Sequence, residues 1–403
     1  MITVIGFDGA ALVPKAAEAL AAATLVVGGK RHLDAVEVPE GTRRHVMGDL
    51  PDALQALDDH ISEGEGPAVV LASGDPGFFG IVRALRERGF YADVIPARSS
   101  VALAFASVGL SWDDAIVVSA HGSEGGRDIR RVANVCRAHH KVAVLTAPDA
   151  GPRELAQALR GVDRTFVVAE YLGQIGERIH RTTPAEAERS ADWVFPNVVL
   201  VLDAGRGASG PGWVAGSPAG PAGWAAAEEA FVHRDSMITK AEVRALVLAR
   251  LGPRRGDLIW DVGSGSGSVA VECARFGAAV VAVERDSASC ERIGVNAAGH
   301  GVYVEVVHGI APACLLDLPQ PDAVFVGGGG VDVIRASADR GARAVVVTLV
   351  AVDRVAEISR ALRQAGYHAD GVLLQSSRLQ PLPGEAHRLA ATNPIFVLWG
   401  ERL

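Results

Sequence analysis

The sequence predicts an α/β protein of two domains joined by a linker, and three observations support this prediction. Short apolar runs alternate with helical patterns along most of the 403 residues, as in sheets of parallel strands covered by helices. Residues 205–223 consist mainly of Gly, Ala, Pro and Ser, which cannot build a core. Near residue 260, a strand leads directly into a glycine-rich turn and a helix. We therefore expect domains at 1–204 and 228–403, joined by a Gly/Pro/Ala-rich linker at 205–227.

Apolar runs with the length of strands occur in both halves. In the first half they alternate with helical patterns such as 52–61 and 79–87, which predicts a largely parallel sheet with helices on both faces. In the second half the alternation is more regular and predicts a doubly wound, Rossmann-like sheet. The predicted strands lie at 2–5, 25–27, 69–72, 92–95, 116–119, 142–146, 165–169 and 198–202 in the first half, and at 258–262, 279–284, 302–307, 323–326, 344–348 and 394–399 in the second.

The composition indicates folded domains without a strong positive charge. Hydrophobic residues make up 49% of the chain and charged residues 21%, which fits folded rather than disordered domains. The formal net charge of -8 disfavours a broad attraction to nucleic acid or to an anionic membrane. We therefore expect neither as a partner, and any basic site for an acidic ligand should be local.

The sequence shows neither a targeting segment nor the pattern of a metal site. Residues 1–6 have no basic residue ahead of the first apolar run, and no uncharged apolar run reaches the roughly 20 residues that span a bilayer. The four cysteines form no CxxC pair and have no zinc-like histidine spacing. We expect a cytoplasmic protein with free thiols and no bound metal.

A glycine-rich turn follows the predicted strand 258–262. The missing side chains of Gly263, Gly265 and Gly267 let the backbone approach a ligand at the carboxyl end of a strand, where open α/β sheets bind their ligands. The next strand ends at Glu284, and a carboxylate there can accept hydrogen bonds from both hydroxyls of a ribose. The sequence thus predicts a site for a ligand that contains a nucleoside.

Two such ligands compete for this turn, S-adenosylmethionine and NAD. A dinucleotide favours the pattern GxGxxG, but Ser268 stands at the last of these positions. Asp261, just before the glycines, repels a pyrophosphate and suits a cationic sulfonium ligand that carries an ammonium group. We favour S-adenosylmethionine, and binding of NAD is the observation that would revive a dehydrogenase.

Four blocks of the second half, at 231–244, 258–272, 282–285 and 321–328, resemble the decarboxylating precorrin methyltransferases. The blocks occur in the family's order, and the resemblance extends over about residues 228–403. It implies that the block at 238–244, with Thr239 and Lys240, lies over the cofactor and that Gly327 and Gly328, after the fourth strand, border the active site.

The resemblance and the glycine turn together define the cofactor-binding candidates of the second half. One position departs from the family, because Ile310 stands where an Asp usually bonds the adenine amino group. The candidates are Asp261, Gly263, Ser264, Gly265, Ser266, Gly267, Glu284, Arg285, Gly309, Ile310, Ala311, Gly327 and Gly328.

The first half contains a Gly-Asp-Pro-Gly turn at 74–77, which by itself is only a turn signal. Together with the blocks at 96–106 and 117–122 it resembles the tetrapyrrole methylases, in particular those that methylate a precorrin at ring carbon 5. The resemblance implies a two-lobed fold, with the methyl donor in a cleft between two α/β lobes. The cofactor-binding candidates are Gly6, Gly74, Asp75, Pro76, Ser99 and Ser100.

Two features of the first half leave alternatives open. The family usually has Gly-x-Gly-Pro-Gly after the first strand, whereas residues 6–10 read Gly-Phe-Asp-Gly-Ala. His121, in the block at 117–122, is either a contact to substrate or cofactor or a histidine that bonds the local backbone.

The two halves in this order resemble the bifunctional precorrin-6Y (precorrin-6B) C(5,15)-methyltransferases (decarboxylating) of cobalamin biosynthesis. The resemblance implies that the second domain methylates ring carbon 15 and triggers loss of carbon dioxide from the acetate chain on ring C. The first domain would methylate ring carbon 5. The product would be precorrin-8X, made with one S-adenosylmethionine per domain. Both families tend to self-associate, so we expect a homo-oligomer.

The substrate implied by this resemblance carries many carboxylates, which arginine binds with bidentate geometry. No catalytic residue is identified, because methyl transfer needs positioning and exclusion of water more than an acid–base pair. The substrate-side candidates are Thr239, Lys240, His121 and Arg244. Further candidates for the carboxylates are Arg98, Arg127, Arg130, Arg131, Arg285 and Arg378.

Two other functions stay open. The second half could methylate RNA or protein, although the acidic chain lacks a strand face of aromatic and basic residues, and residues 325–328 lack the Asn/Asp-Pro-Pro-Tyr block of amide methylases. The altered loop at 6–10 would also fit a first half that serves as a non-catalytic docking domain beside a methyltransferase of another substrate.

Overall fold

The computed structural model describes residues 1–121, 128–190, 192–205, 215, 220–234 and 238–402. Among these, 1–129 and 141–205 form one compact unit, and 130–140 and 215–402 form a second. The grouping of 130–140 differs from the predicted domain boundary at 204. Within the second unit, a hydrogen bond from Asn134 Nδ2 to the Gly256 carbonyl oxygen (3.1 Å) joins the segment 130–140 to the rest of the unit.

The first sheet of the first unit is entirely parallel, as predicted. Both β1 and β4 are buried over most of their length, as is usual where helices cover both faces of a parallel sheet. Strand β3 was not predicted, because its sequence Arg-Arg-His-Val reads as polar and it lies at the edge of the sheet. The strands, in the order β3-β2-β4-β1-β5, are β1 (Ile2–Phe7), β2 (Leu25–Gly28), β3 (Arg43–Val46), β4 (Ala68–Ser73) and β5 (Ala92–Ile95).

The second sheet of this unit is mixed, so the prediction of a largely parallel sheet is wrong here. Only β6 and β7 pair in parallel, and the other three pairs are antiparallel. A fully buried strand has the same apolar sequence whichever way its neighbour runs, which is why the pattern could not decide this point. The strands, in the order β6-β7-β10-β8-β9, are β6 (Ile116–Ser119), β7 (Lys141–Leu145), β8 (Thr165–Glu170), β9 (Arg178–Thr182) and β10 (Asn197–Leu202).

The second unit contains the predicted doubly wound sheet. Five parallel strands run from β13 to β15, and β19 lies antiparallel between β15 and β16. Strands β16, β17 and β18 were not predicted, and β17 pairs with β18 in a separate hairpin. The strands are β11 (Leu258–Val262), β12 (Ala279–Glu284), β13 (Glu305–His308), β14 (Ala323–Val326), β15 (Ala344–Leu349), β16 (His368–Leu374), β17 (Ser377–Pro381), β18 (His387–Ala391) and β19 (Ile395–Glu401), and the sheet order is β13-β12-β11-β14-β15-β19-β16.

Alternate residues of β11 enter two different cores, which places the sheet between two layers. Ile259 packs in one apolar cluster, whereas Leu258 and Trp260 pack in the other, and all three are fully buried. In the part of the chain that the structure describes, none of the helices has the length and apolar character needed to cross a membrane. The helices are α1 (Pro14–Ala21), α2 (Lys30–Ala35), α3 (Leu50–Ser62), α4 (Ile81–Glu87), α5 (Ser100–Ser107), α6 (Ile129–Ala138), α7 (Pro152–Ala158), α8 (Pro184–Arg189), α9 (Ala241–Leu251), α10 (Ser268–Arg275), α11 (Ser287–Gly299), α12 (Val331–Ala338) and α13 (Val355–Gln364).

Most of the predicted linker lies outside the described residues. Its described end is attached to the second unit, where the Ala226 amide donates to Glu272 Oε1 (2.8 Å) and the ring of Trp224 lies 6.3 Å from that of Phe276. The second unit therefore begins before the predicted boundary at residue 228.

Candidate functional site

The glycine turn after β11 is held in a conformation that only glycine adopts without strain. Gly263 and Gly267 have positive φ angles of 73° and 75°. A Cβ atom on Gly263 would lie 2.9 Å from the amide nitrogen of Gly328, so the loop after β14 packs directly against this turn. The structure thus brings two separated predicted blocks together at the carboxyl edge of the sheet.

Asp261 lies beneath this turn rather than on its surface. Its Oδ2 accepts hydrogen bonds from Ser264 Oγ (2.7 Å) and from the Ala270 amide (2.9 Å), and the residue is 1% exposed. Its Oδ1 is buried without a hydrogen-bond partner among the described residues. Burial raises the pKa of Asp261 to about 7, so this carboxyl group changes its charge near neutral pH.

Glu284 ends β12 beside the same turn. Its Oε2 accepts from the Gly265 amide (2.9 Å), and its Oε1 accepts from the amides of Arg285 (2.8 Å) and Asp286 (3.0 Å). A carboxylate oxygen can accept about two hydrogen bonds, so Oε2 retains capacity for a hydroxyl group of a ligand. This geometry suits the ribose contact that the sequence predicts.

The loop after β13 lies next to the end of β12. The Gly309 amide donates to the Glu284 carbonyl oxygen (2.9 Å), and Ile310 follows with 71% of its surface exposed. An apolar side chain that is left open beside a ribose site can cover the face of a planar base. It cannot accept a hydrogen bond from an adenine amino group, as an Asp in this position would.

A small pocket opens on the other side of the turn, where β14 and β15 end. The Gly327 amide donates to the Val262 carbonyl oxygen (2.9 Å), which fixes the start of the loop. Residues 328–330 line the pocket together with Thr348, Arg354 and Glu357. The pocket therefore shares Gly328 with the glycine turn.

In the first unit, three loops meet so closely that one position excludes any side chain. A Cβ atom on Gly6 would lie 2.2 Å from the Gly74 carbonyl oxygen and 2.5 Å from the Ala97 amide nitrogen. Gly74 has a φ angle of 59°, and its amide donates to the Phe7 carbonyl oxygen (2.8 Å). The structure thus brings Gly6 and the turn at 74–77 to the start of α5.

The side chains of these predicted segments serve local structure. Asp75 Oδ1 accepts from the Gly77 amide (2.8 Å) within the turn. Ser99 Oγ accepts from the Ala102 amide (3.1 Å) and so caps α5, which begins with Ser100. Backbone groups around these residues remain the part of the segments that a ligand could contact.

The acidic residue of the unusual first loop is paired. Asp8 Oδ2 accepts from Arg98 Nε (2.7 Å), and the pair links the loop after β1 to the loop after β5. Burial opposes ionisation of Asp8, but the hydrogen bond and the charge of Arg98 hold its pKa below the usual value. The acidic residue that distinguishes residues 6–10 from the family pattern is thus neutralised by Arg98.

Arg244 is not a substrate contact, which corrects the sequence-based prediction. Its side chain is fully buried, Nη1 donates to the Thr239 carbonyl oxygen (2.6 Å), and Nη2 donates to the Ala226 carbonyl oxygen. Its Nε lies 3.5 Å from Glu272 Oε1. Arg244 therefore anchors the segment before α9, and Lys240 stands at the boundary of that helix.

Most of the arginines predicted to bind substrate carboxylates already have partners. Arg378 forms hydrogen bonds through Nη1 and Nη2 to Glu228 (2.6 and 2.9 Å) and contacts Glu242 through Nε and Nη2. These bonds with Arg378, although opposed by burial, lower the pKa of Glu228 to about 2. Arg98 pairs with Asp8, Arg130 with Asp322 (3.2 Å) and Arg131 with Asp257 (4.0 Å), whereas Arg127 lies outside the described residues.

A polar cluster at the carboxyl edge of the first sheet was not predicted. Arg31 Nη2 donates to Ser73 Oγ (2.5 Å), and His32 Nε2 lies 3.2 Å from the same oxygen. The signal that could have found it is the basic pair that directly follows a buried strand and two glycines. His121 ends up exposed after β6, and its amide donates to Ser119 Oγ (3.1 Å).

Both units match models of known protein families. Residues 229–400 match the precorrin methyltransferase domain, and residues 6–188 match the tetrapyrrole (corrin/porphyrin) methylases. Over 347 residues the chain is 38% identical to a precorrin-6Y C(5,15)-methyltransferase [decarboxylating] of Sinorhizobium sp. The aligned region covers 82% of this chain and 78% of that relative.

Two shorter relatives each match about half of the chain. A cobalt-precorrin-7 C(5)-methyltransferase of Salmonella typhimurium is 36% identical over 211 residues, which is 50% of this chain and 99% of that protein. A probable cobalt-precorrin-6B C(15)-methyltransferase (decarboxylating) of Pyrobaculum calidifontis is 34% identical over 181 residues, which is 42% of this chain and 92% of that protein.

Proposed function

The chain belongs to the family of decarboxylating precorrin-6Y C(5,15)-methyltransferases, and from this premise we propose that it methylates a precorrin at ring carbons 5 and 15. The first domain, predicted at residues 1–204, acts at carbon 5, although residues 130–140 group with the second unit. Residues 228–403 form the domain that acts at carbon 15 and removes carbon dioxide from the acetate chain on ring C. The complete reaction converts precorrin-6B to precorrin-8X with one S-adenosylmethionine for each domain.

The observation that carries this proposal is the packing of the Gly263 turn against Gly328, with Glu284 beside it. This arrangement offers a surface of backbone, a carboxylate for ribose and an exposed apolar side chain at Ile310 for the base. The buried Oδ1 of Asp261 lacks a hydrogen-bond partner among the described residues, which suits a ligand that brings an ammonium group or a bridging water. The residues therefore fit S-adenosylmethionine.

S-adenosylmethionine supplies an electrophilic methyl group when bound, and the chain's task is to place the acceptor carbon in line with it. The Gly263–Gly328 contact fixes the floor of the site. The pocket that begins at Gly328 is lined by both Arg354 and Glu357. A carboxylate chain of the substrate that pairs with Arg354 would keep the ring beside the turn.

In the first unit, backbone groups around Gly6, Gly74 and Ser99 offer the corresponding surface. Their close packing removes any freedom in the relative placement of the three loops. Pairing of Asp8 with Arg98 prevents an isolated negative charge in this position. The altered first loop is therefore compatible with a bound cofactor and does not require a non-catalytic docking role.

The protein acts in the cytoplasm and self-associates. All four cysteines are free thiols, which suits a reducing compartment.

Leu379 and Leu389 are opposite each other in the β17–β18 hairpin and are 73% and 68% exposed. Because neighbouring side chains alternate between faces and Arg378 points to Glu228, this apolar pair faces away from the body and supports contact with a second copy. Sedimentation of the Leu379→Ser and Leu389→Ser variants should show a smaller fraction of oligomer than wild type, and an unchanged fraction would contradict contact through this hairpin.

The function is tested by incubating the full-length chain with S-adenosylmethionine and precorrin-6B, or its cobalt-bearing analogue, under exclusion of oxygen. Mass spectrometry of the product should show two added methyl groups and the loss of one carbon dioxide. A product with one methyl group and no decarboxylation would contradict the role of the second domain. Methylation at carbon 15 alone would instead leave the first domain as a docking module.

A further inference from the structure

We propose that Arg31, positioned by Ser73 and His32, binds a carboxylate side chain of the substrate of the first unit. This proposal rests on the proposed function for the chemistry of the substrate. It assigns a contact to a residue that no pattern in the sequence singled out. The site lies at the carboxyl edge of the first sheet, beside the loops that meet at Gly6 and Gly74.

The position of Arg31 follows from the ends of two neighbouring strands. Strand β2 ends at Gly28 and pairs with β4, which ends at Ser73, so the residues that follow β2 lie beside the end of β4. The hydrogen bond from Arg31 Nη2 to Ser73 Oγ (2.5 Å) joins the two ends. Gly74 follows at once and carries the loop that packs on Gly6.

Arg31 is a cation without a counter-ion among the described residues. Its neighbour Lys30 pairs with Asp34 (2.8 Å), whereas the only hydrogen bond of the Arg31 guanidinium within the described residues goes to the neutral Ser73. Guanidinium has five N–H donors, so most of them remain for a ligand. A carboxylate accepts two of them in parallel, which is the strongest geometry that arginine offers.

Protein lies along part of the exposed Arg31 side chain, on the side of Ser73. Partial burial there lowers the pKa of its guanidinium. The pKa of the exposed His121 is also lowered, mainly by burial and least by the charge of Arg31, against the opposing effects of a hydrogen bond to the Leu145 backbone and of Asp149.

His32 is the buried member of this cluster, and its ring is neutral. It is 8% exposed, its ring meets that of Phe7 edge-on at 6.0 Å, and burial together with the charge of Arg31 lowers its pKa to about 4. A neutral imidazole adds no positive charge beside Arg31 at neutral pH. Arg31 is thus the cation of this cluster, and His32 and Ser73 are positioning residues.

An apolar surface accompanies this cation. The loop that follows Ser73 exposes Phe78 and Phe79, whose rings stack edge to face with centroids 5.0 Å apart. Phe79 has a φ angle of 54°, which a bulky residue adopts only when its surroundings enforce it. The loop that carries these rings begins directly after Ser73, the residue that accepts from Arg31. Exposed aromatic rings on this loop suit a flat, apolar ring system that carries carboxylates at its rim.

The test compares full-length wild type with Arg31→Met, Arg31→Lys and Ser73→Ala. Arg86→Met serves as the matched control, because Arg86 is an exposed arginine on α4 of the same unit. Steady-state kinetics of methylation at carbon 5 should show a KM increase of about 10- to 100-fold for Arg31→Met with little change in kcat. Arg31→Lys should lie between this variant and wild type, because lysine keeps the charge and loses the fork.

Three further measurements separate this proposal from its premise. Calorimetric binding of S-adenosylhomocysteine and methylation at carbon 15 should both stay unchanged in Arg31→Met, which excludes a general loss of structure. Uroporphyrin III, a porphyrin polycarboxylate, serves as a binding probe that needs no turnover. If wild type binds the probe without methylating any precorrin, the proposed function fails, and loss of a probe site in Arg31→Met would still support the carboxylate contact.

The proposal is overturned if Arg31→Met has the KM and the probe affinity of Arg86→Met. It is also overturned if wild type neither binds uroporphyrin III nor methylates carbon 5. It is overturned as well if Arg31→Met lowers the affinity for S-adenosylhomocysteine by the same factor as it raises KM. The last result would place Arg31 on the cofactor instead of the substrate.

Discussion

Two carboxylates beside the same glycine turn differ in what surrounds them. Asp261 is enclosed by protein, and among the described residues Ser264 and Ala270 alone donate to it. Glu284 is also buried, at the end of β12, and its carboxylate accepts from three backbone amides, which disperses its charge. Burial outweighs the two hydrogen bonds and raises the pKa of Asp261, whereas Glu284 keeps a free acceptor position for a ligand.

Asp261 should make the stability of the second unit depend on pH. Burial raises its folded-state pKa to about 7, against 3.8 as the ordinary value. The folded state then binds more protons than the unfolded state between these values, so the stabilisation is complete below about pH 4 and is lost as the pH rises to about 7. We expect the free energy of unfolding to fall more steeply over this range in wild type than in Asp261→Asn.

Urea unfolding of both proteins at several pH values between about 4 and 8 measures this slope. The slopes are compared rather than the absolute stabilities, because the amide of the variant also adds a buried donor. Equal slopes would show that Asp261 does not titrate in this range.

Glu284 should control cofactor affinity in one of the two domains. Replacement by Ala removes the acceptor for ribose and the anchor of the Gly265 amide, so calorimetry with S-adenosylhomocysteine should show one of two sites weakened by about 10- to 100-fold. Glu284→Gln should lose less, because its amide oxygen still accepts from Gly265. Glu291→Gln, an exposed carboxyl on the adjacent helix α11, is the control. Two unchanged sites in Glu284→Ala would remove the ribose contact from the proposal.

At the scale of elements, the segment before α9 is fastened by buried polar contacts rather than by an apolar core alone. Arg244 joins the carbonyl groups of Ala226 and Thr239 to Glu272 on α10. Arg378 joins the β17–β18 hairpin to Glu228 and to Glu242 on α9. Two arginines thus tie irregular chain and a hairpin to α9 and α10.

Arg244→Met should destabilise the second unit by about 3–5 kcal/mol, because it leaves the buried Glu272 without its buried cation and two carbonyl groups without their donor. Arg275 still pairs with Glu272 Oε2 (2.9 Å) and limits the loss. Arg360→Met, on the exposed side of α13, should change stability by less than about 0.5 kcal/mol. Thermal unfolding measures both, and a similar midpoint for the two variants would contradict the anchoring role.

At the scale of the whole molecule, each unit contains its own close contact between glycine loops, Gly6 with Gly74 and Gly263 with Gly328. Neither contact shares residues with the other. The proposed function therefore assigns one methyl transfer to each unit, and damage to one contact should leave the other reaction intact.

Gly6→Ala should abolish methylation at carbon 5 and leave methylation at carbon 15 and decarboxylation unchanged. The added Cβ would meet backbone atoms at 2.2 and 2.5 Å, which cannot move aside as a flexible side chain can. Gly48→Ala is the control, because no atom lies within 4 Å of a Cβ at that position. Mass spectrometry should find a decarboxylated product with one methyl group in Gly6→Ala. Loss of both methylations would show that the two sites depend on each other.

The sequence predicted those features that are contiguous along the chain. Strand β11, the turn at 263–267 and α10 follow one another without interruption, so periodicity and glycine spacing sufficed to predict them. The order of strand and helix in the second unit was predicted for the same reason, whereas the largely parallel sheet predicted for the first half holds for its first sheet and fails for its second. Polar edge strands such as β3 and β9 were missed, because charged side chains on an exposed strand carry no apolar alternation.

Only the tertiary structure decided which side chains already have partners. Arg244 and Arg378 look alike in sequence as basic residues near predicted motifs, and both are neutralised by carboxylates that are close only in the folded chain. Arg31 and Ser73 are 42 positions apart and meet because β2 and β4 are adjacent in the sheet. Local sequence determines helices and strands through short-range periodicity. Which charged side chains are paired, and which residues meet in a site, depends on strand order, because strand order brings distant residues together.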